Sequence, residues 1–440
     1  MPGRKAFVLL ELMNAMVLVA QEAKRRGHLV VALNHDPLQS AGPFAVPDGL
    51  VDELIAVESW SQRDALRTLI SELAERYQVV GTYSVFEPTL PTEAALRELA
   101  RLPTTSVANV ERVLDKAQVR RKLYDEGLSE LASVSLTEAL SWSEWAFPTS
   151  AVLKPAHGTG SALCFIVSSL AELRAAAEQV AAAEVVNPLM RDYIVAHGEF
   201  VLEQRAEGEL LSVESVICDG EVQLIGLTGR YLLASNPVVE QGLFFPYKHP
   251  MLDDLVARSE ALHKSLEISH GTSHLEMMVC DNGTIELIDF NPRFAGFAST
   301  VAFGEAYRTP FESVLTDLAC GQRPDLSFLD RPPRYAVEIV IMPPPGVRRL
   351  DEISFPPQLI AARATKSIGQ ELSGRSDQLD AVGMAIVVAD TPRQADQLAW
   401  AARRAVVLNG QTLADNPNNV VVCPRFLAGS TSSAPDRNSQ

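Results

Sequence analysis

His274-Leu275-Glu276-Met277-Met278-Val279-Cys280, Asp281-Asn282-Gly283-Thr284 and Ile285-Glu286-Leu287-Ile288-Asp289-Phe290-Asn291-Pro292-Arg293 run on without interruption. Two apolar-rich runs flank Asn282-Gly283, the dipeptide that best tolerates the positive φ angles of a two-residue hairpin turn. With those two residues as the loop, Asp281 pairs with Thr284, Glu276 lies opposite Asp289, and His274 lies opposite Asn291. These four side chains share one face, and Leu275, Met277, Ile288 and Phe290 form an apolar patch on the other. A three-residue loop would instead put Asp289 on the face away from Glu276. Carboxylates directly across a ladder repel, so the paired register calls for a cation between them. Mg²⁺ suits one or two carboxylates plus an amide oxygen, with water and phosphate completing its shell. Glu276, Asp289 and Asn291 supply that set, and Arg293 adds a fork of donors suited to phosphate or carboxylate. A solvated, charged strand pair is the alternative reading of the hairpin alone.

The chain has 440 residues, room for roughly two to four domains, and a net charge of −17 from 38 Lys and Arg against 55 Asp and Glu. Such a field repels nucleic acid and anionic membrane, so neither is an expected partner. Cys164, Cys218, Cys280, Cys320 and Cys423 are scattered and lack CxxC spacing, which argues against a disulfide framework or a zinc site. No run reaches the length of a membrane span, and the start lacks a signal-peptide layout. Cytoplasm is the expected location.

Strand 6–10, helix 16–26 ending at Gly27 and strand 29–33 open the chain as β-α-β. Helices at 61–77 and 92–102 with a strand near 79–83 continue an α/β layer to about Pro103. The first turn, Leu10 to Asn14, has no glycine and cannot cradle a pyrophosphate as GxGxxG does. Glu87 follows the strand near 79–83, where ligands gather in open parallel sheets; a solvated loop acid is the other reading. From Asn109 a helix runs to Gly127 with Lys116 and Arg120 on one face, which a solvated basic face would equally explain. Ala151 to Pro155 is a strand, Gly158-Thr159-Gly160-Ser161 a turn whose amides and Lys154 can approach an anion, and Ala162 to Val167 a second strand. A plain hairpin turn accounts for these glycines as well. Further strands at 200–206, 211–218 and 221–226, a helix at 170–185 and another at 252–266 complete an antiparallel α+β sheet region. Strands at 335–342 and 384–389 and a helix at 391–408 follow. The Ser-rich 429–440 is expected to be a disordered tail.

In order, Asp115-Lys116 with Arg120, Leu153-Lys154-Pro155 with its glycine turn, Glu203 after a strand, His274-x-Glu276 and Asp289-x-Asn291-Pro292-Arg293 together resemble the ATP-grasp superfamily. Within it, the likeness is to carboxylate-amine ligases similar to bacterial L-amino acid ligases and carnosine synthase. The resemblance implies a multidomain α/β and α+β protein: a Rossmann-like pre-ATP-grasp domain over 1–105, an ATP-grasp domain over 106–328 (glycine-loop subdomain to about 200, metal-bearing sheet from 201), and a small C-terminal α+β domain over 329–428. It implies ATP as co-substrate, with Mg²⁺, two ions, and Mn²⁺ as a substitute. Lys116, Lys154, Gly158, Gly160 and Ser161 would meet the phosphates; Glu203, Gln204 and Ala206 would hold the ribose and adenine; Glu276, Asp289 and Asn291 would bind metal. Arg293 and His274 would be catalytic, and Arg230, Glu240, Glu87 and Gly296 would line the substrate pocket, although surface polarity explains Arg230 and Glu240 nearly as well. Three departures stand out: Asp289 where Glu is usual, Phe297 after Gly296 where a second glycine is common, and Leu163-Cys164 in place of Gly-Val.

The reaction so implied joins a carboxylate to an amine through an acylphosphate, with small-molecule substrates and a homodimer as one possible assembly. His274 would bind the acylphosphate, general-base work or a structural role being the alternatives, and the turn at Gly158 to Gly160 would be the lid. A biotin-carboxylase-like enzyme using bicarbonate and a non-catalytic ATP-binding regulator are the competing readings. The presence of both lysines, all three metal ligands and Arg293 argues against the regulator.

Overall fold

The first layer is built on β1 (Arg4–Leu10), whose run from Ala6 to Leu10 is wholly buried and therefore belongs inside a parallel sheet. The computed structural model describes residues 4–40, 44–158, 160, 162–182, 193–194, 198–296, 299–372, 374 and 380–427. Helix α1 (Met16–Arg25) leads to β2 (Leu29–Asn34), then β3 (Glu53–Ala56), α2 (Arg63–Arg76), β4 (Tyr77–Tyr83) and α3 (Leu90–Leu99). The four strands are parallel in the order β3-β2-β1-β4, a Rossmann-like layer. The sequence reading missed β3, an edge strand whose Leu54 is half exposed and which lacks an apolar run.

The expected single helix from Asn109 to Gly127 is two: α4 (Val107–Val113) and α5 (Lys116–Asp125). Asp115 breaks them by capping α5, its Oδ1 accepting from the amides of Ala117 and Gln118 at 2.9 and 3.0 Å. Lys116 and Arg120 still share a face, because both lie on α5. A small sheet follows from β5 (Ser133–Ser135), α6 (Leu136–Leu140), β6 (Ala151–Pro155), β7 (Phe165–Val167), α7 (Leu170–Ala182) and β8 (Phe200–Gln204), ordered β5-β8-β6-β7.

The remaining strands are β9 (Gly208–Cys218), β10 (Glu221–Leu233), β11 (Asn236–Tyr247), β12 (Gly271–Cys280) and β13 (Ile285–Asn291), with α8 (Leu252–Ser265) before β12. After α9 (Ser299–Tyr307) and α10 (Phe311–Ala319) come β14 (Tyr335–Ile341), β15 (Ile353–Ser354), β16 (Ala361–Ala364), β17 (Gly383–Ala389), α11 (Pro392–Ala405), β18 (Val407–Leu408), β19 (Gln411–Thr412) and β20 (Val421–Val422). Among the described residues the largest sheet has nine strands, in the path β13-β12-β9-β10-β11-β14-β17-β16 with β20 beside β10. The segment expected as a separate C-terminal domain thus extends the central sheet, since β14 pairs with β11 from Gly242↔Ile339 to Phe245↔Ala336. Gly242 makes this join: it sits at φ 144°, and a Cβ there would lie 2.1 Å from the Glu338 carbonyl oxygen. Val337 and Ile339 of β14 and Ala395 and Ala399 of α11 share one core with Leu211 of β9 and Leu275 of β12.

Arg97 fixes the first layer to the rest, donating to the carbonyls of Thr82, Pro103, Leu318 and Ala319. No disulfide is formed among the five cysteines, and among the described residues no helix is long and apolar enough to cross a membrane. Residues 429–440 and Ser161 lie outside the described residues, as does Phe297.

Candidate active site

The hairpin reaches its expected pairing by an unexpected route. The Cys280 amide bonds the Thr284 carbonyl at 2.8 Å and only Gly283 takes positive φ, so the loop has three residues, Asp281 to Gly283. Near the turn the pairs are Val279↔Ile285 and Met277↔Leu287, one residue out of the two-residue register. A β-bulge between Glu276 and Met277 on the paired ladder takes up the extra residue at Ile288, and Glu276↔Asp289 and His274↔Asn291 are restored. Leu287, 1 % exposed, replaces Ile288 in the apolar patch with Leu275, Met277 and Phe290.

Two lysines meet this hairpin from the smaller elements. Lys116 Nζ lies 2.9 Å from Asp289 Oδ2 and donates to the Gly158 carbonyl at 2.9 Å. Lys154 Nζ donates to Glu203 Oε1 at 3.0 Å and to the Ile288 carbonyl at 3.3 Å, which the bulge exposes to it. Arg120 holds both oxygens of Glu203, at 2.9 and 3.0 Å. Burial opposes the Glu203 charge, but Arg120 and Lys154 outweigh it and lower the carboxyl's pKa. Both Glu203 oxygens are therefore engaged by cations, and the amides of Gln204 and Arg205 bond the carbonyls of Ala132 and Ser150. Gly160 takes φ 64°, and Leu163, where glycine is usual, takes φ 57°, a left-handed conformation costing a leucine roughly 1–2 kcal/mol.

At the carboxylate pair, burial raises both groups. His274 and Arg230 more than offset it at Glu276, holding that carboxyl down to about 2. At Asp289 burial and the charges of Glu276 and Glu87 outweigh Lys116, and the carboxyl is raised. A further cation between the two would relieve this repulsion. Among the described residues no three His, Cys, Asp or Glu side chains gather to hold a metal. A divalent ion here would rest on two carboxylates, 27 % and 17 % exposed, and the Asn291 amide oxygen. That donor set fits a hard ion that keeps water and phosphate ligands.

Two polar flanks extend from the pair. On one, Arg293 Nη2 donates to Glu87 Oε1 at 2.6 Å and to Asn291 Oδ1 at 3.2 Å, so Glu87 is a buried partner of Arg293 and not a solvated loop acid. Gly296 lies beyond, its carbonyl accepting the Ser299 hydroxyl at 2.8 Å. On the other flank Arg230 pairs with Glu240 and, at 3.3 Å, with Glu276. Arg230 and Glu240 lie on β10 and β11, and Arg230, 6 % exposed, is not the surface group that the alternative reading made of it. His274 Nδ1 bonds Glu214 Oε1 at 2.8 Å, and Nε2 faces Arg230 Nη2 at 2.8 Å. Burial lowers this imidazole's pKa, but Glu214 outweighs it and raises it to about 9. An acceptor at Nε2 requires the neutral ring, so a protonated ring cannot accept from Arg230 and turns its Nε2–H toward Glu276, whose Oε1 lies 3.6 Å away. Glu214, absent from the sequence reading, was visible as one acid inside the apolar run 211–218.

Residues 147–301 match the family model for an ATP-grasp domain. The chain carries an ATP-grasp domain. Its fold is shared with solved structures, among them L-amino acid ligase from Bacillus licheniformis, at 18 % identity and TM-score 0.76 over 94 % of this chain and 100 % of that one. Phosphoribosylglycinamide synthetase from Anaerococcus prevotii aligns at 14 % identity and TM-score 0.65 over 93 % and 100 %. The biotin carboxylase domain of Hydrogenobacter thermophilus 2-oxoglutarate carboxylase, in complex with MgADP and bicarbonate, aligns at 15 % and 0.66 over 92 % and 91 %. Comparison with curated proteins gives no match. At these identities the likeness speaks for the ATP-grasp fold.

Proposed function

We propose that the protein is an ATP- and Mg²⁺-dependent ligase joining a carboxylic acid, an amino acid or peptide-like acid, to an amine. The observation that carries this reading is the convergence of Lys116, Lys154, Glu276, Asp289, Asn291 and Arg293 on one face of an ATP-grasp sheet. A carboxylate oxygen attacks the γ-phosphorus of ATP, and the bond to the bridging oxygen breaks with its electron pair leaving on ADP. The amine nitrogen then attacks the acyl carbon, loses a proton, and phosphate departs with the C–O bonding pair. Glu276, Asp289 and Asn291 would hold Mg²⁺, which supplies charge neutralisation for the phosphates. The chain's own part is alignment and charge: Lys116 and Lys154 face the phosphates, Arg293 orients the acid or its developing oxyanion, and the Glu214–His274–Arg230 chain keeps Glu276 ionised.

Phosphate release from ATP and Mg²⁺ tests this, with amino acids supplied singly with hydroxylamine and in pairs, and products read by mass spectrometry. Acid-dependent hydroxamate and a dipeptide mass are expected, and Glu276→Gln or Asp289→Asn is expected to lower release at least about 100-fold. Release with bicarbonate alone supports a carboxylase instead. ATP binding without release under any of these conditions supports the regulatory reading.

A further inference from the structure

Arg293 also lines a cavity of about 80 Å³, where the first layer meets the start of β12 and α10. Leu90 and Ala94 of α3, Val110 of α4 and Leu315 of α10 form its apolar wall. The polar wall away from Arg293 is rich in acceptors and poor in donors. Arg97 spends all its N–H groups on the Thr82, Pro103, Leu318 and Ala319 carbonyls, leaving none for a ligand. Among the described residues the Glu93 carboxylate accepts only the Thr82 hydroxyl, at 3.0 Å, and burial raises its pKa although Arg97 opposes this. His270 Nε2 meets the Leu318 carbonyl at 3.1 Å, and because a carbonyl only accepts, the proton sits on Nε2. Burial lowers this imidazole's pKa and keeps the ring neutral near pH 7, so Nδ1 is a buried acceptor, without a partner among the described residues. Tyr83, 8 % exposed, has a hydroxyl that likewise finds no partner there.

We propose that this cavity receives the amino group and side chain of the activated acid, so the donor is a small amino acid with a free ammonium group and a side chain no larger than alanine's. The assignment rests on the ligase reading, in which Arg293 holds the reacting carboxylate; Arg293 lines this cavity, so the rest of the acid enters it. An ammonium brings three N–H donors and a positive charge, and Glu93, His270 Nδ1 and the Tyr83 hydroxyl are three acceptors open to it. Its charge also offsets the cost of burying the Glu93 carboxylate. An acid without an amino group would leave those acceptors as they are, unpaired in a closed space. The volume lies well below the roughly 300 Å³ at which pockets for larger ligands begin, which restricts the side chain to one of few atoms.

The test compares glycine, alanine, leucine and propionate as donors, with ATP, Mg²⁺ and hydroxylamine, on wild type, Glu93→Gln and Tyr83→Phe. Binding of each acid is measured in parallel by calorimetry in the presence of a non-hydrolysable ATP analogue. Wild type is expected to favour alanine over propionate, which lacks only the amino group, at least about 100-fold in kcat/KM, and alanine over leucine at least about 10-fold. Glu93→Gln is expected to cut the alanine-to-propionate ratio at least about 10-fold. Tyr83→Phe removes a hydroxyl that has no partner to lose, so the fold is kept, and it is expected to cut the ratio about 3-fold; it decides the matter if Glu93→Gln does not fold. Propionate used as well as alanine, leucine preferred to alanine, or a ratio unchanged in the deciding variant overturns the cavity assignment and leaves the ligase standing. No turnover with any acid, but saturable alanine binding that the deciding variant weakens, overturns the ligase reading and keeps the cavity. Neither turnover nor binding overturns both.

Discussion

Glu203 shows how much a single residue's role depends on its partners. Its carboxylate lies 5 % exposed between Arg120 and Lys154, so Glu203→Gln leaves two buried cations facing a neutral amide. The expected cost is about 3 kcal/mol, read as a lowered urea midpoint without ATP. A variant that weakens ATP binding but keeps full stability would assign Glu203 to the nucleotide alone. His263 behaves in the opposite sense. It is 1 % exposed, donates from Nδ1 to the Ser259 carbonyl at 2.7 Å and meets the Ser273 hydroxyl at 2.8 Å through Nε2. Burial lowers its pKa from 6.5 to about 4. With the folded value depressed, its contribution is complete above pH 6.5 and declines as pH falls toward 4, because only the unfolded chain takes up the proton. The expected loss is about 3 kcal/mol. Melting temperature followed from pH 7 to 4 should fall more steeply in wild type than in His263→Gln.

At the scale of elements, the hairpin and the β11–β14 join both depend on backbone detail. The three-residue loop and the bulge at Ile288 offset each other, so the site's register is set by pairing at Glu276 and not by the turn. The bulge also turns the Ile288 carbonyl to Lys154, giving it a use beyond register. Gly242→Ala is expected to separate β14 from β11, because its Cβ meets the Glu338 carbonyl at 2.1 Å and φ 144° excludes other residues. A loss of at least about 3 kcal/mol is expected by chemical denaturation. Glu240 lies two residues from Gly242, so amide exchange across 236–247 should rise with it.

Across the whole molecule, the site is assembled from three regions far apart in sequence: Glu87 from the first layer, Lys116 and Lys154 from α5 and the small sheet, and Arg293 from the central sheet. Their alignment requires the first layer to stay docked. Arg97, 6 % exposed, reaches carbonyls on both sides of that junction. Arg97→Ala leaves those carbonyls without their donor, and a loss of at least about 3 kcal/mol is expected, with kcat falling in the native protein as Glu87 and Arg293 separate. Two-step denaturation, with the first step abolishing turnover, would be the signature. The shared core of α1, α9 and α10, through Met16, Phe303 and Phe311, supplies the apolar part of the same docking.

By itself the sequence determined most of the elements and the residue types gathered at the site. Alternation, buried apolar runs and turn residues are local signals, and they located the parallel opening, the carboxylate-bearing hairpin and the order of the charged residues. Only the tertiary structure decided which charges meet. A strand pattern cannot show a compensating bulge, because loop length and bulge shift register by equal and opposite steps. Nor can it show that Glu203 is a counterion, that Glu87 belongs to Arg293, or that β14, β16 and β17 extend the central sheet. Each of those depends on contacts between segments separated by tens to hundreds of residues, and local periodicity carries no information about them.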